Sequence, residues 1–307
     1  MFINSLREVS SSQISVVVQG AVDKDSTASC LKSIRKCLPE AEIVLSTWEG
    51  SKLEGLDFDI LVSNQDPGAV KDPLNGITIN LNRQIVSTKN GILKSNKPYI
   101  LKTRSDLYFS NSSFLDYWNK YEERTDEHVL FEHKILMSSF YCKKYIGFET
   151  KMPVPFHLGD WTFFGTRDDL LVLWDIPLAK EPFFTNYFWM SPYKGIKFDG
   201  FKASHQFAPE QYILLEAMKK RGYKDVMKDY LDYNHYNIDL SNKIIINNFV
   251  LLDPKQWSYH SLKNQYSQWT NDLETLPAEL KYGLYLNSLY ERELAKFTKS
   301  KNENLNG

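Results

Sequence analysis

Lys97-Pro98-Tyr99-Ile100-Leu101-Lys102-Thr103-Arg104-Ser105-Asp106-Leu107-Tyr108-Phe109 is the stretch on which the reading of this chain turns. Its first part is strand-like. Pro98 opens it, and Tyr99, Ile100 and Leu101 are the consecutive apolar residues of a buried parallel strand. Residues 102–106 then place two cations, two hydroxyls and one carboxylate together where the strand leaves its sheet. Ligands of open α/β sheets bind at the carboxyl ends of the strands. These side chains suit a phosphorylated ligand, with or without a divalent metal. Strand ends are also commonly polar because they meet water, so the flanking sequence has to decide.

Working upstream, residues 14–18 are a β-branched run broken by Gln19-Gly20. Residues 25–38 read as a helix capped by Asp25 or Ser26, with Leu31, Ile34 and Leu38 on one face and Pro39 ending it. Strands follow at 43–45 and 59–62, the first closing on Ser46-Thr47-Trp48 and the second on a polar turn ending in Pro67-Gly68. Residues 81–95 form a helix that feeds the opening strand, with Arg83, Ser87 and Asn90 sharing a polar face. This order is the opening of a Rossmann-like half with a parallel sheet.

Downstream, the pattern predicts a helix over 113–124, a short strand at 129–131 and long loops from about 135. Within those loops, a turn carrying His157 and Asp160 precedes a short aromatic strand, and a helix resumes at 168–174. Residues 209–221 are a helix with Pro209 at its first position and Glu210 in its first turn. A strand is expected at 244–252. An amphipathic helix at 276–297 carries a basic tail, Lys296, Lys299 and Lys301.

Composition narrows the function classes. The 307 residues carry a net charge near −1, so no basic field draws the protein to nucleic acid or anionic lipid. With 18 Phe, 18 Tyr and 7 Trp, flat faces for stacking on sugars or bases are abundant, although the same residues fill ordinary cores. Cys30, Cys37 and Cys142 have no metal spacing, and an odd number argues against a disulfide framework. No signal peptide or run of about 20 apolar residues is present, which points to a soluble, cytosolic protein able at most to dock peripherally on a membrane. Residues 20–25, Gly-Ala-Val-Asp-Lys-Asp, lack both the dinucleotide fingerprint and the P-loop.

Candidate residues cluster at the strand ends. Gln19 and Gly20 let backbone approach a ligand closely. Ser46 and Thr47 offer hydroxyls to a ribose and Trp48 a face to a base. Arg83, in the first turn of its helix, suits phosphate, as do Lys102 and Arg104, with Ser105 and Asp106 beside them. Asp160 and Glu210 compete as the base that deprotonates an acceptor hydroxyl. The helix dipole is expected to keep Glu210 ionised. His157 and His205 lie near those carboxylates in sequence, His235 is a late metal candidate, and Trp161, Trp189 and Tyr193 can form a sugar-stacking platform or an aromatic core.

Val-Val-Val-Gln-Gly at 16–20, Leu-Ser-Thr-Trp-Glu-Gly at 45–50, Asn82-Arg83-Gln84-Ile85 and Lys102-Thr103-Arg104-Ser105-Asp106 together resemble the WavE-type lipopolysaccharide-synthesis family of bacterial glycosyltransferases. His-Leu-Gly-Asp-Trp-Thr-Phe-Phe-Gly at 157–165 and Ala208-Pro209-Glu210-Gln211-Tyr212 resemble that family's later motifs. The resemblance spans most of residues 14–252. It implies an α/β fold with a GT-A-like, Rossmann-type nucleotide-binding core and a mixed sheet, followed by acceptor loops and C-terminal helices. A single glycosyltransferase domain would divide into a nucleotide-sugar half (13–110, with Asn82 added to its donor residues), an acceptor and catalytic half (111–255, with His157, Trp161 and His205 on the acceptor) and a helical extension (256–307).

The activity implied is transfer of a monosaccharide from a nucleotide sugar to a lipopolysaccharide, lipooligosaccharide or capsule glycan. The acceptor would be a glycan or lipid-linked glycan, met at the inner face of the inner membrane. GT-A enzymes carry an Asp-x-Asp motif that holds Mg²⁺ or Mn²⁺ on the diphosphate. Here Arg104 stands in place of the first Asp, leaving Asp106 as the lone metal candidate. Metal-independent catalysis, with cations neutralising the phosphates, is the alternative. A non-catalytic glycan-binding subunit and a sugar nucleotidyltransferase are the rival functions, and the lone Gly20 counts against the latter.

Overall fold

The structure, a computed structural model, describes residues 9–72, 76–146, 152–190, 204–275 and 281. The chain order is β1 (Ile14–Gln19), α1 (Lys24–Cys37), β2 (Glu42–Trp48), β3 (Ile60–Asn64), β4 (Val70–Lys71), β5 (Thr78–Ile79), α2 (Leu81–Lys94), β6 (Tyr99–Arg104) and β7 (Leu107–Phe109). Then come β8 (Ile135–Ser138), β9 (Tyr145–Ile146), β10 (Met152–Pro153), β11 (Phe163–Thr166), α3 (Arg167–Trp174), α4 (Pro209–Lys219), α5 (His235–Asn248), β12 (Phe249–Leu252), α6 (Pro254–Trp257), β13 (Tyr259–Ser261) and α7 (Asn264–Asn271).

Seven strands form one sheet in the order β12-β8-β11-β6-β1-β2-β3. Strands β3, β2, β1 and β6 are mutually parallel, the parallel half-sheet expected from the sequence. Strand β11 is antiparallel to both its neighbours, so the sheet as a whole is mixed. All six residues of β1 are buried. Its alternate side chains feed opposite faces: Val17 packs with α2, whereas Val16 and Val18 pack with Leu31 and Ile34 of α1.

Register decides where a site can form. Gln19 lies opposite Ser46 on one side and Arg104 on the other, so the carboxyl ends of β1, β2 and β6 are level. Because β11 runs backwards, its first residue Phe163 lies opposite Lys102. The turn at 157–162 therefore enters at that same edge.

Several expectations change. The Lys102-Thr103-Arg104 triplet and Ser46-Thr47-Trp48 lie inside their strands, not beyond them. Helix α1 is capped by Asp23, whose carboxylate accepts from Ser26 N, and not by Asp25 or Ser26. Only Ser113–Tyr117 of the expected 113–124 helix forms, as a 3₁₀ turn, and Asn119 then takes φ 60°. Trp118 packs on Tyr99 and Phe164 instead of extending a helical face.

No strand forms at 129–131, because side chains from the end of α5 capture that backbone. Asn248 Oδ1 accepts from Leu130 N at 2.6 Å, and Asn248 Nδ2 donates to His128 O at 2.7 Å. Residues 135–138, read as loop, are instead strand β8, second from the edge of the sheet, and residues 244–248 close α5 before β12 begins. The three cysteines are free. No helix among the described residues is long and apolar enough to cross a membrane. The expected helix at 276–297 and its basic tail lie outside the described residues.

Candidate active site

Two cavities open along this edge and meet at Asn80, Gln84 and Arg104. The first, about 250 Å³, lies over the ends of β1 and β6 and is lined by Gln19, Gly20, Trp48, Arg83, Arg104, Ser105, Asp106 and Lys263. The second, about 520 Å³, lies over the turn before β11 and the N-terminus of α4. His157, Asp160, Trp161, His205 and Glu210 line it.

In the first cavity Gly20 takes φ +117°, a conformation that side chains resist. The chain thereby turns off β1 with Gly20 N donating to Ser46 O at 3.1 Å and Ser105 N to Gln19 O at 3.2 Å. The Ser105 hydroxyl donates back to Ala21 O, so it braces the turn. Asp106 is buried and receives both arms of Arg104, Nε at 2.8 Å and Nη2 at 2.7 Å, with Lys263 Nζ at 2.8 Å on its Oδ2. Burial would raise its pKa, yet Arg104 and then Lys263 hold the carboxyl well below the usual carboxylate range. The Arg104 guanidinium lies 4.4 Å over the Trp161 ring, a cation–π contact. Arg83 is bound to Asp66 through two hydrogen bonds.

Asp106 does not fit as a metal ligand in this arrangement. Both its oxygens already face cations, and a hard divalent ion needs six or more oxygen ligands. Among the described residues no group of three or more His, Cys, Asp or Glu side chains is placed to hold a metal. His235 is exposed at the start of α5.

Four expected donor residues lie off the cavities. Lys102 is fully buried: its ammonium donates to the backbone O of Asp160 and lies 4.7 Å over the Trp174 ring. Burial depresses its pKa to about 7, and its hydrogen bond to Asp160 O places it beneath that turn and off both cavities. Ser46 Oγ donates to Ser87 O and accepts from Asn64, while Thr47 Oγ1 meets Ser51 Oγ. Both residues are spent inside the sheet. Asn82 clamps the backbone of Ala179 with two hydrogen bonds on the far side of α2.

In the second cavity Asp160 Oδ2 accepts from Gln84 Nε2 at 2.5 Å. Glu210 does not behave as the dipole argument predicts. Burial first, and the facing Asp160 second, push its carboxyl up to about 8, and these outweigh the helix N-terminus. His157 Nε2 lies 3.8 Å from Glu210 Oε2, which looks like an ion pair. Burial and then Lys143 drive the imidazole down to about 3, which works against its charged form in that contact. Trp161 is 3% exposed and carries Arg104, so its ring is no platform for an acceptor sugar. Trp189 is exposed but lines neither cavity, and Tyr193 lies outside the described residues.

The sequence reading passed over Gln84, Lys263, Tyr141, Lys143, Tyr230 and Tyr266, which also line the cavities. Gln84 had a signal, since it stands beside Arg83 one turn into α2. Lys263 had none, because only the pairing of β13 with β7 brings it near Asp106.

The turn that presents Asp160 has no spare room. A Cβ on Gly159 would sit 2.2 Å from Phe140 O, and its N–H donates to Cys142 Sγ at 3.1 Å. Gly159→Ala is therefore expected to destabilise the protein by about 1–3 kcal/mol. A thermal melt unchanged from wild type would contradict this.

The family described as WavE lipopolysaccharide synthesis matches residues 14–305, from the first residue of β1 onward. The chain belongs to this WavE family. A search of curated proteins gives no match. Among solved structures the chain is similar to S. aureus TarS 1–349, at 14% identity and a TM-score of 0.34, over 78% of this chain and 58% of that one. The chain thus spans less than two thirds of TarS 1–349, and a likeness this loose says nothing about the WavE protein's reaction.

Proposed function

We propose that this WavE-family protein is a glycosyltransferase that moves a monosaccharide from a nucleotide-sugar donor to a hydroxyl of a lipopolysaccharide-type surface glycan. The observation that carries this reading is the junction of the two cavities, with Arg104 and Gln84 shared between a cation-lined pocket and a carboxyl-lined one.

In this reading the first cavity takes the nucleotide. Its base lies against Trp48 and its phosphates meet Arg104 and Arg83 beside the N-terminus of α2. Helix N-termini favour anions, and Asn80 gives α2 no side-chain cap. The donor sugar then sits at the junction, where Gln84 Oε1 is a buried acceptor with no hydrogen bond among the described residues. The acceptor glycan enters the second cavity. As its hydroxyl oxygen bonds to the anomeric carbon, the bond from that carbon to the leaving phosphate breaks. The electron pair goes to the phosphate oxygen, where Arg104 neutralises it. The hydroxyl proton passes to Asp160.

The test is a thermal-shift panel of nucleotides and nucleotide sugars. Stabilisation by one nucleotide series is the expected result, and no stabilisation by any of them would sink the proposal. Side-chain cations serve as the phosphate counter-charge, so EDTA is expected to leave that stabilisation in place. Stabilisation that requires Mn²⁺ and vanishes in Asp106→Ala would restore the metal to Asp106.

A further inference from the structure

Resting on that reading, we infer that Lys263 is a donor-phosphate ligand from the C-terminal segment, parked on Asp106 until a nucleotide draws it across the first cavity.

The root of this side chain is fixed. Strand β13 pairs with β7, Ser261 opposite Leu107, and Leu262 N donates to Asp106 O at 2.9 Å. Ser261 N donates to Thr270 Oγ1 at 2.9 Å, and Lys263 N donates to Ser261 Oγ at 3.2 Å. The Lys263 backbone is thereby held on the rim of the cavity, one residue beyond the sheet pairing. The head is free by comparison, for the side chain is 56% exposed and makes a single ion pair among the described residues, Nζ to Asp106 Oδ2.

Charge makes that pair exchangeable. Asp106 carries one negative charge and faces two cations, so the cluster has a positive charge to spare. Arg104 holds the carboxylate by two hydrogen bonds and lies against Trp161, which makes it the harder cation to displace. Lys263 is held at one point near solvent, where ion pairs contribute little. Its four-carbon stem and three donors can follow an incoming anion. A nucleotide phosphate in the first cavity carries more charge than Asp106 has left to offer. Lys263 moves to it, while Arg104 keeps Asp106 paired through Nε and Nη2 and meets the phosphate without leaving the carboxylate.

Isothermal titration calorimetry of the full chain with UDP, GDP, CDP, ADP, dTDP and CMP identifies the tightest nucleotide, which is then compared with its own nucleoside. Lys263→Met is expected to weaken that nucleotide at least about tenfold, to leave the nucleoside unchanged and to reduce the salt dependence of binding. Lys263→Arg is expected to recover most of the affinity. Because the side chain is largely exposed, unchanged melting temperatures will show that both variants fold. Equal affinity of Lys263→Met and wild type for the nucleotide would overturn the inference, and so would a parallel loss for nucleotide and nucleoside. Failure of the wild type to bind any nucleotide would instead overturn the transferase reading, and this inference with it.

Discussion

Replacing Asp160 by Asn is expected to lower kcat by about a thousandfold, within the range that a positioned general base contributes. Nucleotide affinity should stay within about twofold, because Asp160 lines the second cavity and not the first. The choice of Asp160 over Glu210 rests on their shared surroundings. Two carboxyls facing one cavity do not both give up their protons readily. In the proposed reaction Glu210, whose carboxyl is pushed up by burial and by Asp160, holds its proton, and Asp160 takes the one released by the acceptor. Gln84 and the Lys102 ammonium beneath the turn fix its position. Asn keeps the size and one acceptor oxygen but cannot hold the proton. Single-turnover kinetics with the donor identified by the nucleotide panel would measure the effect. A variant retaining more than about a tenth of the wild-type rate would move the base elsewhere, with Glu210 the next candidate.

The parallel half of the sheet was legible because buried strands of that kind read as apolar runs, as at β1 and β6. Helix α2 was equally plain from its period. What local reading misplaced were features set by distant partners. Residues 129–131 have strand-like side chains, but Asn248 takes their backbone from 118 residues away in sequence. The run at 244–252 is β-branched throughout its first turn, and only the N-cap at Asn234 and the helix behind it make residues 244–248 helical. The site divides the same way. Polar residues at strand ends were found, yet not what covers each of them. Arg104 reaches the cavity, while Lys102, two residues earlier and on the same side of the sheet, ends beneath the Asp160 turn because the returning strand β11 covers it. Glu210 was assigned from its helix alone. Its environment is made by the turn at 157–160, which no helix rule contains.

That environment has a consequence for stability. Glu210 has an ordinary value of 4.5 in the unfolded chain and about 8 in the folded protein. Below 4.5 both states hold the proton and the full stability is present. As pH rises from there the unfolded chain ionises first, so stability is lost progressively until the folded carboxyl also ionises near 8. His157 works in the opposite sense, since its imidazole has an ordinary value of 6.5 and is driven to about 3 in the fold. It adds stability as pH rises to 6.5 and nothing more beyond. Glu210→Gln separates the two. The glutamine keeps the shape and cannot ionise, while His157 is present in both proteins. The melting temperature of the variant relative to wild type should therefore rise between about pH 6.5 and 8.5. A gain of at least about 2 °C over that interval corresponds to roughly 1 kcal/mol for a chain of this size. Parallel melting curves would mean that Glu210 ionises in its ordinary range. In that case the assignment of the base would have to be reopened, because the argument for Asp160 depends on Glu210 holding the proton.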